Sequence, residues 1–404
     1  MVKISKFGED FLLLALRIGK HIKGYVDFYF GPEKLRQIVD IESLTSPKKL
    51  LKDSIALIQQ LGAQGYGKER QTYLEKMIIA MKTSIELLIG IKISIKDQFL
   101  KLYDVLLAPV NESELENLKE EFSAAYGEPE SLEAYMKELR IVRKIPKSSV
   151  FAFFKKALDI TKSKSKEIFG DFLPEKENII IDIVKNNGND DKLKWACYEW
   201  YLGNYTSRIE VNPNFQMYWT TILFSASHEG YPGHHTEFVM KEKKLYRDLN
   251  QFEHSLLILH TPKLVISEGI ANTAISVLYS DKEIAEIGLQ EFCSSASEEP
   301  SLEKLVLQEI VKRKLPQFWY NFAFHALIDR YDDKELIRYA KYYEIFSEDD
   351  IKSEIKRLIN PTHSKNAFLY NLGSNAIKNK YGESPSAKKF KDLLINPVLP
   401  SDLN

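Results

Sequence analysis

The feature that most constrains this chain is the run of helix-period apolar segments filling roughly its first 170 residues. Apolar side chains recur at helical spacing through Phe7–Ile22, Pro47–Leu61, Glu69–Leu88, Asp97–Leu106, Ser113–Ala125, Ser131–Glu138 and Ser148–Phe169. Turn-rich stretches separate them: Gly31-Pro32, Gly62–Gly67, Pro109–Asn111, Gly127–Pro129 and Ile145-Pro146. Amphipathic helices in such number must bury their apolar faces against one another, so a mostly α, multi-helix fold is expected. At 404 residues, 44% hydrophobic and 12% aromatic, the chain has the material for a large core.

Charge narrows the partners. Lys+Arg 56 against Asp+Glu 57 leaves a net charge of -1, which argues against a general nucleic-acid or anionic-membrane binder. The apolar run Phe11–Arg17 is too short to span a membrane and is followed by no small-residue cleavage site, so it reads as a core helix. Cys197 and Cys293 lie nearly a hundred residues apart with no C-x-x-C, which excludes a disulfide scaffold or thiolate zinc site and predicts a reducing, cytoplasmic setting.

The pattern changes once. Asn178–Lys185, Trp195–Tyr201 and Tyr205–Asn212 are short, rich in β-branched or aromatic residues and divided by turn clusters, which predicts two or three antiparallel strands. As an edge, such a sheet can hold an extended substrate by backbone pairing; as a plain hairpin it is structural, and the sequence leaves both readings open. A strongly apolar helix, Asn214–Ser227, then delivers His228. Helices resume over Thr236–Tyr246, Phe252–Leu259 and Pro262–Ser280, and later over Ser301–Asp329, Asp333–Tyr343, 347–358 and Thr362–Lys380.

The helix ends in His228-Glu229-Gly230-Tyr231-Pro232-Gly233-His234-His235, which holds three of the chain's eight histidines. In the usual H-E-x-x-H arrangement two histidines one helical turn apart share a zinc ion and the glutamate is the base. Here a regular helix, turning about 100° per residue, would aim His234 away from His228. It would bring His235 back to the same face, but roughly 10 Å further on. Pro232 and Gly233 permit a break that swings His234 back; the plainer alternative is a helix ending at Tyr231 with ordinary surface histidines. A charged, histidine-rich end on a buried helix is costly unless its groups are paired or bind a metal.

Glu268 falls in the apolar stretch Ile266–Thr273, where it needs a partner, for which a zinc ion, a lysine or a backbone donor would serve. Asn272, one turn on, is placed to orient His228 or Glu268. His254 and His260 sit among leucines and read as core or cap residues. Tyr370 and Arg357 are chemically suited to donate to an oxyanion and to clamp a carboxylate.

These residues resemble a known pattern. The His228–His235 stretch is similar to the H-E-x-x-P-G-H signature of a zincin-like family, domain of unknown function family number 885. Glu268-Gly-Ile-Ala271 resembles that family's E-G-[WI]-A block. Arg357–Pro361 with Ala367–Gly373, Tyr205–Arg208 and Gly24–Pro32 resemble further blocks, so the likeness spans most of the chain. It implies one zincin-like helical domain over 1–404, with a helical N-terminal part (1–170), a catalytic part (171–404) and a central cleft. It further implies His228, His234 and Glu268 as ligands of one Zn2+, Glu229 as base, and Tyr370 with Arg208 or Arg357 facing substrate. Ile270 and Thr273 stand where the commoner form has tryptophan and tyrosine, which bears on substrate preference.

The expectation is therefore a zinc-dependent hydrolase of peptide-like amide bonds, a carboxypeptidase or oligopeptidase, acting on a peptide or small amide without nucleic-acid or membrane partners. Two rivals stand beside it. One is a non-catalytic scaffold whose zinc is closed by a fourth ligand from His235, Glu237, His254 or His260. The other is a zinc hydrolase of a non-peptide amide or ester.

Overall fold

A computed structural model describes residues 3–184, 195–359 and 366–403, without the side chains of Asn366 and Tyr370. The chain is mostly helical, as its periodicity predicts. The first part contributes α1 (Lys6–Gly19), α2 (Glu33–Ile41), α3 (Pro47–Leu61), α4 (Lys68–Leu88), α5 (Ile95–Tyr103), α6 (Leu118–Tyr126), α7 (Leu132–Val142) and α8 (Val150–Phe169). Local chemistry sets several starts: Ser5, Ser46, Ser94 and Ser131 each accept from a backbone N–H of the first turn, and Pro47 opens α3 where its missing donor costs nothing.

The central elements are α9 (Trp219–Glu229), α10 (His234–Lys241) and α11 (Pro262–Leu278), with a π-helical turn Glu242–Asp248 continuing α10. Then follow α12 (Asp281–Glu291), α13 (Leu302–Lys312), α14 (Leu315–Phe324), α15 (Asp333–Tyr342), α16 (Glu348–Ile359), α17 (Asn366–Tyr381), α18 (Ala387–Ile395) and α19 (Pro400–Leu403). Among the described residues no helix is long and apolar enough to cross a membrane.

Helix α11 is the middle of the molecule. Leu264 and Val265 join an apolar cluster with Phe99, Phe318 and Phe368, whereas Ile266, Ile270 and Ala274 join another with Phe154, Ile222 and Phe390. Being covered on both sides explains its lack of a polar face. It crosses α17 at two glycines: a Cβ on Gly373 would stand 2.0 Å from the Val265 carbonyl oxygen, and one on Gly269 would stand 2.5 Å from the Gly373 carbonyl carbon. Backbone meets backbone there.

The strands depart from expectation in three ways. β2 (Asn178–Ile183), β3 (Cys197–Gly203) and β4 (Thr206–Val211) form one sheet in the order β2-β4-β3, and only β3/β4 is antiparallel. β2 lies parallel to β4, because the tight Gly203–Tyr205 turn brings β4 back beside β3 and leaves β4's far edge for β2. The all-antiparallel expectation fails on that strand. Second, β1 (Val26–Tyr29) pairs antiparallel with β5 (Leu256–Ile258), a sheet the periodicity does not predict. Third, the helix expected over Phe252–Leu259 is a 3-10 turn, Phe252–His254, followed by β5. Leu256 and Ile258 enter the N-terminal core around Phe11 and Met77, and Leu257 enters the cluster of Phe99 and Phe318; the period is two, hidden because both faces are apolar.

Candidate metal centre

The helix carrying the histidine–glutamate pair breaks where the glycines and proline stand. α9 ends at Glu229, and the Gly230 N–H donates to the Ala226 carbonyl at 3.0 Å. The Tyr231–Pro232 peptide is cis, and the chain doubles back so that the Gly233 N–H donates to the Ser227 carbonyl at 2.9 Å. A Cβ at Gly233 would lie 1.9 Å from the His228 carbonyl oxygen, so only glycine admits this return. α10 then starts on His234, facing the end of α9.

The rings of His228 and His234 come to 4.8 Å between centroids, at right angles. Glu268 reaches them from α11, with Oε2 3.7 Å from His228 Nε2 and Oε1 3.9 Å from His234 Nε2. The three prospective ligand atoms all lie within 4.8 Å of one another. Tetrahedral ligands at about 2.0–2.1 Å from zinc stand roughly 3.4 Å apart, so small side-chain shifts would close the set around an ion.

Three observations fit these residues to a cation. Glu268 Oε2 is buried without a hydrogen-bond partner, a condition a cation relieves. Burial pushes the Glu268 carboxyl up to about 8, with Glu229, Glu237 and Asp27 adding to the shift, as expected where acids face one another. Burial also holds both imidazoles neutral, His234 down to about 4 and His228 well below its ordinary value with His234 contributing. Neutral imidazole is the ligand form.

Hydrogen bonding selects the tautomer of His234. The Ser267 hydroxyl donates to Glu237 Oε2 at 2.6 Å, so its oxygen accepts from His234 Nδ1–H at 3.2 Å. The proton is thereby held on Nδ1 and the Nε2 lone pair turned toward Glu268. Glu237 is itself paired with Lys241 at 2.5 Å. Asn272 faces the His228 ring and favours its charged form, although His228 Nδ1 has no partner within hydrogen-bonding geometry.

A second network pins the loop from the other side. Glu177 accepts from Tyr231 Oη at 2.6 Å and His235 Nε2 at 2.9 Å, and pairs with Lys162 at 2.7 Å. Burial alone would raise this carboxyl, but the three donors outweigh it and bring it to about 2. His235 Nδ1 meets the Ser207 hydroxyl at 2.7 Å, so both of its ring nitrogens are engaged. His235 is thus spent on the fold, and Glu237 on Lys241 and Ser267. Neither belongs to the metal-ligating group found among the described residues, nor do His254 and His260.

Glu229 is half-buried, next in sequence to the prospective ligand His228. Burial raises its carboxyl to about 8; the backbone N–H of Glu199 on β3 opposes the shift and Asp27 adds to it. Arg208 lies on the face of β4 opposite Ser207, 3.7 Å from Glu210. Arg357 is bound to Glu354 through Nε at 2.7 Å. The carboxylates that face Arg208 and Arg357 are thus Glu210 and Glu354. Tyr370 falls on α17, but its side chain lies outside the described residues, as does Pro361. Sequence reasoning passes over Ser267, Glu177, Asp27 and Tyr198, and offers Glu237 as a ligand where it is instead bonded to Lys241 and Ser267. A visible signal exists for Asp27 and Glu199, each a lone acid among aromatic neighbours.

No family model matches the chain, and no curated protein matches it. Two solved structures share its fold. A predicted lipoprotein from Colwellia psychrerythraea is 13% identical with a TM-score of 0.51, over 92% of this chain and 68% of that one. A predicted lipoprotein of unknown function from Shewanella oneidensis is 11% identical with a TM-score of 0.50, over 88% and 71% of the two chains. At such identity the likeness concerns the fold alone.

Proposed function

We propose that His228, His234 and Glu268 hold one zinc ion, and that the chain is a zinc-dependent hydrolase of peptide-like amide bonds with Glu229 as general base. The observation that carries this reading is the convergence of two neutral imidazoles and one unpartnered carboxylate oxygen within 4.8 Å. The motif resemblance to the zincin-like family supports it independently. Among the described residues three ligands converge without a fourth, as in a catalytic rather than a structural site, and the engagement of His235 and Glu237 elsewhere weighs against a closed scaffold centre.

A zinc ion held there supplies Lewis acidity, polarising a carbonyl and making water acidic near neutral pH. Glu229 accepts the proton of the attacking water and returns it to the leaving nitrogen. Its raised carboxyl suits both directions of transfer near pH 7, and a neighbouring dication favours its ionised form. The backbone N–H of Glu199 favours the ionised form of this carboxyl. Because β3 is an edge of its sheet, an extended peptide can add to it beside Glu229. Arg208 is half-buried, with its Nε lacking a hydrogen-bond partner, and is available to a substrate carboxylate, whereas Arg357 would first have to leave Glu354. The two free cysteines favour a reducing cytoplasm; cell fractionation tests that, since both fold neighbours are described as lipoproteins.

The first experiment is metal content by mass spectrometry for wild type, His234→Ala and Glu268→Ala. About one zinc per chain, lost in both variants, supports the site and justifies screening peptides against non-peptide amides and esters. Absence of stoichiometric metal from folded, reconstituted wild type would end the reading.

A further inference from the structure

From the bulge that aims its side chain and the tyrosine that holds it, we infer that Asp27 is the group by which this site recognises a substrate ammonium. The inference rests on the proposed metal centre and names the substrate class for it. The register of β1 against β5 slips between Val26 and Phe28, so Asp27 is the extra residue of a β-bulge. Bulges re-aim a side chain and are frequent beside active sites. The redirected carboxylate meets the Tyr198 hydroxyl, which donates to Oδ1 at 2.6 Å. Tyr198 is braced by Trp200, with ring centroids 4.6 Å apart, and Trp200 is fixed in turn by its Nε1–H on Glu210 at 3.0 Å.

Phe28, the residue after Asp27, meets Phe238 at 4.9 Å between ring centroids, and Phe238 stacks on the His234 ring at 5.6 Å, so β1 carries Asp27 to the side of the triad. Its charge is felt by Glu229 and Glu268 alike, and the side chain is enclosed but not sealed from solvent. Glu229 and Glu268 together balance a dication; Asp27 adds a negative charge beyond that balance. The ammonium groups in this core are committed elsewhere, Lys241 to Glu237 and Lys263 to the Leu256 carbonyl. A carboxylate pre-aimed at the reaction edge is complementary to an ammonium on the substrate. Either the α-ammonium of a free peptide N-terminus or the side-chain ammonium of a lysine supplies that chemistry.

The test uses the full chain reconstituted with zinc, its metal content measured on each sample, and calorimetry with three hydroxamates. Leucine hydroxamate carries the α-ammonium, Nα-acetyl-leucine hydroxamate carries none, and Nα-acetyl-lysine hydroxamate carries only the side-chain one. Wild type is expected to bind one of the two ammonium-bearing probes about tenfold or more tightly than the uncharged probe, the better one identifying the source. Asp27→Asn, which keeps an acceptor for Tyr198 and should keep its zinc, is expected to reduce that preference to within about twofold. Equal binding of all three probes by zinc-loaded wild type overturns the inference, as does an Asp27→Asn protein that keeps the preference. Wild type without stoichiometric zinc overturns the metal reading itself and the inference with it, so the two failures are distinguishable.

Discussion

Ser267→Ala tests the hydrogen-bonded arrangement behind the metal centre. The hydroxyl lies between two buried groups, donating to Glu237 at 2.6 Å and accepting from His234 Nδ1 at 3.2 Å. Removing it strands one lone pair of Glu237 and the Nδ1 proton of His234 where water does not easily replace them. The short, charge-assisted bond to Glu237 carries most of the stability; its loss should cost about 2 kcal/mol, within the range of about 1.5–3 kcal/mol for bonds to charged groups. The longer bond to His234 acts mainly on the tautomer. Loss of such orienting partners typically weakens metal binding 10–100-fold, and a separation of 3.2 Å places the effect near the lower end, about tenfold. Chemical denaturation of the apoprotein and zinc competition against a chromophoric chelator read the two effects separately. Ser276→Ala, on the same helix but bonded only to carbonyls, is the control, expected within about 0.5 kcal/mol of wild type. A Ser267→Ala protein whose zinc affinity stays within about twofold of wild type would refute the tautomer argument.

Other outcomes follow from the same geometry. Glu229→Gln should retain stoichiometric zinc and lose turnover on any substrate found for wild type, so retained turnover would remove Glu229 as base. Gly233→Ala places a methyl 1.9 Å from the His228 carbonyl oxygen and should abolish zinc binding, whereas Gly62→Ala, which meets open space, should not; zinc content decides. Because burial keeps Glu268 and Glu229 protonated up to about 8 in the apoprotein, zinc binding at pH 7 should release one proton from Glu268 and, as the dication ionises Glu229, up to a second. Apparent affinity should then rise with pH and level off above 8; calorimetry in buffers of different ionisation enthalpy measures this, and no proton release would contradict it. Glu177 has its folded pKa lowered to about 2, so its stabilisation is present above the ordinary carboxylate pKa and lost as pH falls toward 2. Glu177→Gln should remove that part of the acid dependence in denaturation curves.

Much of this protein is legible in its sequence. Helical periodicity identifies the class, because a helix that must bury one face writes that need at intervals of three and four residues. The paired His228 and Glu229, the helix-breaking Pro232-Gly233 and the acid at Glu268 stand out as residue types out of keeping with apolar surroundings. What stays hidden depends on approach between distant segments. β5 reads as helix because both of its faces are apolar and the alternation between two cores leaves no mark. The parallel placement of β2 is decided by which edge of β4 remains free. The turn at Gly230–Gly233 makes a regular helix impossible, but only the folded chain shows His234 returning to His228, with Glu268 arriving from α11 through the Gly269–Gly373 crossing. Ser267, Glu237 and Glu177 carry no local signature, since a serine or glutamate acquires its role from the partner it meets. Composition and period determine what must be buried; which buried groups face one another is set by packing, and the chemistry depends on that.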